Sequence, residues 1–201
     1  MQSFWTTRIY TQRGFVRENI LGDIRALDIG SGNRKLPGAI GIDRLKLPNV
    51  DVVHDLSRFP WPFPNESFNL VLANHFLEHT EDVLETLGEI HRILVPGGRL
   101  VIQVPYFRSL DAITDPTHRH FFTSATLDYV IEGTNLAQYS YTQFFFKKIG
   151  FWYAWPQLSR NPFARLFKSF ITSHRHFYDQ YLSLVLPVEC LTWELEKPIQ
   201  P

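Results

Sequence analysis

Between residues 25 and 104, short apolar runs alternate with turns and one helical pattern, and this alternation most constrains the fold. The runs are residues 25–29, 39–43, 50–55, 68–73 and 99–104. From Asp82 to Leu94 the apolar residues recur at helical spacing, and the helix breakers Pro96, Gly97 and Gly98 follow. Short strands joined by crossings of this kind predict an α/β fold with a doubly wound parallel sheet.

The second half of the chain has a less regular pattern. It predicts a short helix over 124–132, a long strand over 139–157, helices over 162–172 and 178–186, and a final strand over 188–196. Only eight residues separate Gly30 from Ala39, too few for a full crossing helix. Residues 31–38 are therefore predicted to form an abbreviated turn, which would leave that side of a pocket more open.

The composition excludes several classes of protein. The 20 basic and 20 acidic residues cancel, which argues against a protein that coats nucleic acid. The one cysteine, Cys190, excludes an internal disulfide and a four-thiolate zinc site. No run reaches the about 18 apolar residues of a membrane span, and the N-terminal residues lack the apolar core of a signal peptide. We therefore expect a single domain over 1–201, located in the cytoplasm.

One segment departs from this charge balance. Residues 133–178 contain six lysine or arginine residues and no acid, and eight of the fifteen residues from Tyr141 to Trp155 are aromatic. A buried hairpin followed by a solvated basic helix is one interpretation. The other is a basic, aromatic wall that faces an anionic substrate or a membrane surface.

Glycines and polar residues mark the carboxyl ends of the predicted strands, where doubly wound sheets bind ligands. Gly30 and Gly32 allow a tight turn and the close approach of a ligand. Asp43 offers the acceptors that a ribose diol needs, and Asp55, one strand further, suits an exocyclic adenine amine. These residues predict a crevice for an adenosine-containing cofactor.

Two common nucleotide motifs are missing around the glycine turn. The third glycine of the dinucleotide motif is absent from Gly30-Ser31-Gly32-Asn33-Arg34-Lys35, and a Walker loop is absent too. Asp28 stands just before the glycines. A carboxylate at this place would repel a pyrophosphate but attract the cationic aminoacyl end of S-adenosylmethionine.

The motifs from residue 26 to about 105 resemble the class I S-adenosylmethionine-dependent methyltransferases, particularly the type 11 group. The matching pieces occur in that family's order: ALDIGSG, AIGID, HDLSRFPWPFPNESFNLVLANHFLEH and LGEIHRILVPGGRLVIQVP. The resemblance implies an enzyme with a Rossmann-like, doubly wound, mostly parallel seven-stranded sheet and a C-terminal antiparallel hairpin. It also implies a cofactor-binding core over about 20–107, then an acceptor loop and the hairpin over about 108–201, with S-adenosyl-L-methionine as the cofactor.

The same resemblance implies which residues contact the cofactor. They are Asp28, Gly30, Ser31, Gly32, Asp43, Arg44, Asp55, Leu56, Asn74 and His75. The two glycines would line the methionine moiety, and Asp28 would receive its ammonium through water, unless this carboxylate only orients the loop. Asp43 would hold the ribose, while Asp55 and the Leu56 backbone would meet the adenine. Asn74 and His75 would lie near the sulfonium.

The loop after the fifth predicted strand contains the acceptor chemistry, in Asp-Ala-Ile-Thr-Asp-Pro-Thr-His-Arg-His at 111–120. Similar D-P-T-H segments occur in the family, on the substrate side of the cofactor. His118 and His120 are predicted to be catalytic, because a hydroxyl acceptor requires a general base. Arg119 is predicted to bind an anionic group of the substrate.

Asp115 and Tyr106 are also predicted to contact the substrate. Two alternatives remain open for the loop. Its side chains would only staple it through hydrogen bonds, or Asp115, His118 and His120 would ligate a divalent metal. Our assignment includes no metal site.

The predicted function is O- or N-methylation of a small-molecule or carrier-borne acceptor. The amine-methylation motif Asp/Asn-Pro-Pro-aromatic is absent, because Asn74-His75-Phe76-Leu77 follows the fourth predicted strand. Cys190 lies in the last predicted strand, so the cysteine nucleophile of a pyrimidine methyltransferase is missing. The alternatives are a non-catalytic cofactor-binding module or partner subunit, and an RNA methyltransferase that uses the basic segment. The neutral overall charge argues against a nucleic-acid substrate.

Overall fold

The structure is a computed structural model that describes residues 10–11, 14–15, 21, 23–154 and 161–199. The strands within these ranges are β1 (Tyr10–Thr11), β2 (Gly14–Phe15), β3 (Ala26–Ile29), β4 (Ile40–Asp43), β5 (Val52–Val53), β6 (Phe68–Asn74), β7 (Leu94–Pro105), β8 (Lys147–Tyr153) and β9 (Cys190–Glu196). The helices are α1 (Val83–Ile93), α2 (Leu110–Thr114), α3 (Pro162–Ser173) and α4 (Arg175–Gln180). Short 3₁₀ helices lie at Leu77–His79, Thr126–Val130, Leu136–Tyr139 and Leu182–Leu184. None of these described helices has the length and apolar character needed to cross a membrane.

Seven strands form one sheet in the order β5-β4-β3-β6-β7-β9-β8. Strands β5, β4, β3, β6 and β7 are parallel to one another. Strand β9 is antiparallel to both β7 and β8. The predicted Rossmann-like, mostly parallel seven-stranded sheet with a C-terminal antiparallel pair is therefore confirmed.

Helix α1 covers one face of the sheet, as its apolar spacing predicted. Asp82 caps the helix, because its Oδ1 accepts hydrogen bonds from two backbone N–H groups of the first turn at 2.7 and 2.9 Å. Leu87, Ile90 and Ile93 are fully buried in the main core. Burial of each such side chain contributes roughly 1.5–3 kcal/mol, which is enough to hold the helix against the sheet.

The other crossings between the parallel strands lack regular helices in the described structure. Residues 30–39 contain turns and bends only, so the abbreviated turn predicted over 31–38 is confirmed. Residues 44–51 and 54–67 are irregular as well. The carboxyl ends of the strands are thus bordered by loops, which give this edge its open cleft.

The start of β7 differs from the prediction. We expected Pro96, Gly97 and Gly98 to end a helix and a strand to begin at residue 99, but β7 begins at Leu94. A register shift opposite Phe68 accommodates the irregular backbone. Gly98 lies so close to the chain that an added Cβ would come within 2.8 Å of the Val95 carbonyl oxygen. Close backbone approach explains why these residues fit inside a strand.

Three other predicted elements are wrong in extent. The strand predicted over 139–157 is limited to β8, because Ser140 adopts a left-handed backbone (φ 54°) that ends an extended chain; residues 155–157 lie outside the described residues. The helix predicted over 178–186 is α4 followed by a 3₁₀ helix. The strand predicted over 50–55 is β5 alone.

Asp179 connects the C-terminal helices to the sheet. Its Oδ1 accepts from the hydroxyls of Tyr106 at 2.9 Å and Tyr153 at 2.7 Å, and its Oδ2 accepts from the Ser124 backbone N–H at 3.0 Å. Burial raises the pKa of both tyrosines. The phenols therefore remain neutral hydrogen-bond donors at any physiological pH.

Cys190, the one cysteine of the chain, lies at the start of β9. Its side chain is buried, and this burial raises the pKa of the thiol to about 12. A protonated, enclosed thiol is a poor nucleophile. This environment does not suit the cysteine nucleophile of a pyrimidine methyltransferase.

We predict that Asp179→Ala lowers the free energy of unfolding by about 3 kcal/mol, because the Tyr106 phenol and the Ser124 N–H lose this acceptor and Tyr153 keeps only the Arg175 carbonyl. Urea denaturation measures this loss. The control is Asp23→Ala, since Asp23 is exposed and its replacement should change the stability little. Equal unfolding free energies in the two variants would contradict the role given to Asp179.

Candidate functional site

A cleft of about 680 Å³ opens at the carboxyl ends of β3, β4, β5 and β6. Backbone hydrogen bonds bring the strand ends together: Gly30 N donates to the Ile42 carbonyl at 2.9 Å, and His54 N donates to the Asp43 carbonyl at 2.9 Å. This volume falls within the roughly 300–1,000 Å³ of typical small-molecule sites. The cleft lies where doubly wound sheets bind their ligands.

The structure brings about half of the predicted site residues to this cleft. Those that line it are Gly30, Asp43, Arg44, Asp55, Leu56, His75 and Arg119. Those that do not line it are Asp28, Ser31, Gly32, Asn74, Tyr106, Asp115, His118 and His120. The second set consists of residues that lie behind the lining or in the loop beside it, together with Tyr106, which is in the core.

Asp43 joins two loops of the cleft. Its Oδ2 accepts from the Gly32 N–H at 3.0 Å, and its Oδ1 accepts from the Leu45 N–H at 2.9 Å. Each carboxylate oxygen has two acceptor positions. The carboxylate therefore retains acceptor capacity toward a diol in the cleft while it fixes the glycine turn.

The two glycines of the turn share a backbone conformation but have different surroundings. Both have a left-handed backbone, with φ of 63° at Gly30 and 48° at Gly32. A Cβ at Gly30 would lie 2.8 Å from Cδ2 of Phe76, whereas a Cβ at Gly32 would have no neighbour within 4 Å. The space beside Gly32 is thus open. Ser31 between them is buried, and its hydroxyl has no hydrogen-bond partner in the described structure.

Asp28 supports the abbreviated turn from behind. Its side chain is buried, and its Oδ2 accepts from the Leu36 N–H at 2.7 Å. Burial raises the pKa of this carboxyl from 3.8 to about 7, partly offset by the hydrogen bond from Leu36 and the charge of Lys35. This geometry favours the loop-orienting alternative over a direct contact with a cofactor.

The loop after β5 forms the side of the cleft assigned to adenine. Asp55 accepts from Ser57 N at 3.2 Å and Ser57 Oγ at 2.7 Å, and these hydrogen bonds lower the pKa of its carboxyl. The Leu56 carbonyl accepts from Nε1 of the buried Trp61 at 3.1 Å. Helix α1 fixes the same loop, because Arg92 Nη1 donates to the Phe63 carbonyl at 2.9 Å.

The loop after α2 forms another wall of the cleft, where Pro116, Thr117 and Arg119 line it together with His79. A backbone hydrogen bond connects this loop to the 3₁₀ helix Leu77–His79, because Arg119 N donates to the Glu78 carbonyl at 2.8 Å. The exposed Arg119 guanidinium forms an ion pair with Glu81 at 3.1 Å. The wall therefore consists of this loop and the 3₁₀ helix that follows β6.

The two histidines predicted to be catalytic are held by backbone carbonyls. His118 Nδ1 donates to the Ala112 carbonyl at 3.0 Å, and His120 Nε2 donates to the Thr80 carbonyl at 2.9 Å, because a carbonyl only accepts. One ring nitrogen of each residue retains a lone pair. The ring of His118 packs against that of His79, with centroids 4.7 Å apart.

Asp115, Asn74 and Tyr106 have other surroundings. Asp115 accepts from Thr117 N at 2.8 Å and Thr117 Oγ1 at 2.7 Å, and these bonds lower the pKa of its carboxyl. Asn74 is the last residue of β6 and is half-buried. Tyr106 is fully buried beside Asp179, so the structure does not bring it to the cleft.

Sequence reasoning missed Glu78 and His79, which lie beside the predicted loop. They occur in the ANHFLEH piece, which we interpreted only as part of the family pattern. Both lie in the 3₁₀ helix Leu77–His79. Their adjacent acid and histidine, shortly after the strand predicted over 68–73, are residue types that could have marked them as site candidates, like those of the 111–120 loop.

The basic segment is partly neutralised within the fold. Arg175 forms an ion pair with Asp128 at 2.7 Å. Burial lowers the pKa of Lys148 and lowers that of Lys168 to about 8. Arg175 and Lys168 are half-buried, whereas Lys147, Lys148 and Arg165 are exposed, so part of the segment's positive charge faces the solvent.

Comparison with known proteins identifies similar chains. A family model described as a methyltransferase domain matches residues 7–141 of the 201 residues. The demethylmenaquinone methyltransferase of Lysinibacillus sphaericus is 27% identical over 96 residues, covering 44% of this chain and 39% of that protein. The demethylmenaquinone methyltransferase of Chlorobaculum parvum is 32% identical over 89 residues, covering 39% and 36%. The chain thus spans well under half the length of these curated relatives.

Solved structures share the fold over most of the chain. A SAM dependent methyltransferase from Archaeoglobus fulgidus has a TM-score of 0.56 at 18% identity, covering 88% of this chain and 87% of that one. An S-adenosylmethionine dependent methyltransferase from Mesorhizobium loti has a TM-score of 0.53 at 16% identity, covering 88% and 92%. At this identity the likeness concerns the arrangement of strands and helices.

We predict a pH dependence of stability that originates from Asp28. Its pKa is about 7 in the folded chain and 3.8 ordinarily, so between these values the folded chain holds a proton that the unfolded chain has released. Stability therefore falls as pH rises through this window, by roughly 4 kcal/mol in total. Asp28→Asn keeps an acceptor for Leu36 N and should remove this part of the decline.

Urea denaturation at about pH 4 and about pH 8 tests this linkage. The variant is expected to be more stable than the parent chain at the higher pH and similar to it at the lower. The same difference between the two pH values in both chains would show that Asp28 is ionised in the folded state throughout.

Proposed function

The chain belongs to the methyltransferase-domain family and takes S-adenosylmethionine as its cofactor, and from this premise we propose that it methylates an oxygen or nitrogen of a small-molecule or carrier-borne acceptor. The observation that supports this most is the joint placement of Gly30, Asp43 and Arg119 around one cleft. In this proposal, the cofactor side and the acceptor side share this cleft. The named substrate of the curated relatives, demethylmenaquinone, is also a small molecule.

The residues at the cofactor side fit an adenosine group. Asp43 retains acceptor positions for a diol, and the space beside Gly32 would be reduced by any Cβ. Asp55 and the Leu56 backbone lie one strand further along the same wall. We therefore propose these residues as the binding site for the ribose and the adenine.

The methionine side fits less directly. Asp28 is buried and bound to Leu36 N, so we propose that it acts on the cofactor by fixing the turn that contains Gly30 and Gly32. Ser31, Arg44, Asn74 and His75 remain proposed cofactor residues. Of these, Arg44 and His75 line the cleft.

The bound cofactor supplies an electrophilic methyl group, and the chain must supply alignment and a group that activates the acceptor. We propose that His118 and His120, which lie in the loop after α2 that forms one wall of the cleft, provide the activation. His118 is the better placed of the two, because its ring packs on His79, which lines the cleft. Asp115 supports the wall through Thr117, and Arg119 is proposed to bind an anionic part of the acceptor.

We propose a cytoplasmic enzyme without a nucleic-acid partner. The single buried cysteine suits a reducing compartment. Arg175 of the basic segment is paired with Asp128, and the 20 basic and 20 acidic residues of the chain cancel, so the chain lacks the excess of positive charge that is typical of RNA-binding proteins. This argues against the RNA methyltransferase alternative.

The acceptor class is tested with tritium-labelled S-adenosylmethionine and a cell extract. The label is then separated into small molecules, carrier-bound species, protein and RNA. We expect the label in the first two fractions. Label that nuclease releases from RNA would contradict the proposal, and the absence of any transfer despite cofactor binding would favour the non-catalytic module.

We predict that Asp43→Ala weakens S-adenosylmethionine binding by at least about tenfold. A charge-assisted hydrogen bond contributes about 1.5–3 kcal/mol, and about 1.4 kcal/mol corresponds to a tenfold change in affinity. Calorimetric titration measures the change. Asp23→Ala, away from the cleft, serves as the control, and unchanged affinity in a folded Asp43→Ala variant would remove Asp43 from the site.

A further inference from the structure

Glu78, His79 and His118 form a compact cluster beside the cleft. One ligand atom of each residue lies within 4.8 Å of the corresponding atoms of the other two. Glu78 and His79 come from the 3₁₀ helix after β6, and His118 comes from the loop after α2. The backbone bond from Arg119 N to the Glu78 carbonyl connects these two segments. The cluster is therefore built by the fold from residues about forty positions apart.

Glu78 lacks hydrogen bonds although it is buried. Its exposed fraction is 1%, and neither carboxylate oxygen has a hydrogen-bond partner in the part of the chain that the structure describes. His75 Nδ1 lies 3.3 Å from Glu78 Oε1, but without the alignment of a hydrogen bond. Burying a carboxylate in this way is costly unless a positive charge compensates it.

The hydrogen bonds of the two histidines determine which nitrogen remains available. Thr117 Oγ1 donates its one proton to Asp115 Oδ1. His79 Nδ1 lies 2.9 Å from Thr117 Oγ1 and must therefore be the donor in that hydrogen bond. His118 Nδ1 donates to the Ala112 carbonyl. The Nε2 lone pair of each ring is thus left for another partner. Metal-ligating histidines typically donate their other N–H to a carbonyl or to a carboxylate-linked group in this manner.

We propose that Glu78, His79 and His118 bind a divalent transition-metal ion. Two imidazole nitrogens and one carboxylate oxygen are the donors that Zn²⁺, Co²⁺ and Fe²⁺ take in three-ligand sites, where positions remain open for water or a substrate. The ion would bind the Glu78 carboxylate, whose two oxygens have no hydrogen-bond partner among the described residues. The hydroxyl of Thr117 and the carboxylate of Asp115 orient the His79 ring from behind.

This site differs from the metal alternative considered for the loop alone. Asp115 already accepts two hydrogen bonds from Thr117, and His120 directs Nε2–H to the Thr80 carbonyl. Among the described residues, the three that approach one another as ligands share only His118 with that set. Asp115 therefore acts as a support, and the second histidine is His79.

The catalytic consequence of the site rests on the proposed function. His79 lines the cleft, so an open position of the ion would be available to an acceptor hydroxyl. A bound divalent ion lowers the pKa of such a hydroxyl. In that case His79 and His118 would activate the acceptor through the ion.

The test uses the full chain, stripped with a chelator and titrated with Co²⁺ and then Zn²⁺, without cofactor or acceptor. We expect one Co²⁺ per chain, visible absorption bands from an ion with nitrogen ligands, and displacement by Zn²⁺. Glu78→Gln and His118→Ala should weaken binding by more than about 100-fold, because loss of a ligand exceeds loss of a supporting group. Thr117→Val should weaken it by about 10–100-fold.

His120→Ala is the matched control and should retain the Co²⁺ affinity. Circular dichroism verifies that each variant is folded, and Glu78→Gln preserves the shape of the side chain. The absence of saturable binding overturns the proposal, as does equal affinity in the parent, Glu78→Gln and His118→Ala chains. Loss in His120→Ala together with retention in Glu78→Gln would assign the ion to the loop set. Since no methyl transfer is measured, failure of the proposed function would leave this result unaffected.

Discussion

The carboxylate of Asp43 accepts one hydrogen bond from a backbone N–H of the glycine turn and one from a backbone N–H of the loop after β4. The geometry of the cleft depends on these two hydrogen bonds. The crossing between β3 and β4 has no helix to hold it. Hydrogen bonds to the side chains of Asp43 and Asp28 therefore hold this crossing in place of a packed helix. Because each carboxylate oxygen has two acceptor positions and only one on each is used by these backbone groups, acceptor positions of Asp43 remain available toward the cleft.

The parts of the fold predicted from sequence are those determined by local pattern. Strands β3 and β4 and helix α1 appear close to their expected bounds, because a run of apolar residues or a capped amphipathic segment specifies each of them. The segment after Ser140 could not be predicted in this way. Its aromatic residues resemble a strand, but Phe146 pairs only with Ile131 in an isolated bridge before β8 begins. Tertiary contact there prevails over β propensity.

The same distinction separates the site residues that the sequence could predict from those that it could not. Residues at strand ends, such as Gly30, Asp43 and Asp55, reach the cleft because parallel strands end at one edge. The orientation of Asp28 and Tyr106 could not be deduced, since each depends on a partner from another segment, Leu36 N or Asp179. The approach of Glu78 to His118 depends on contact between two segments about forty residues apart, and only the structure shows it.

The environment of Cys190 has a practical consequence for experiments on this protein. Burial raises the pKa of the thiol to about 12, so the thiol stays protonated at neutral pH, and the side chain is enclosed. We therefore expect the folded natural chain to react little with maleimides and similar thiol reagents. A cysteine introduced at the rim of the cleft would be the single reactive position, so a fluorophore or spin label placed there would report on the approach of ligands without removal of the native residue.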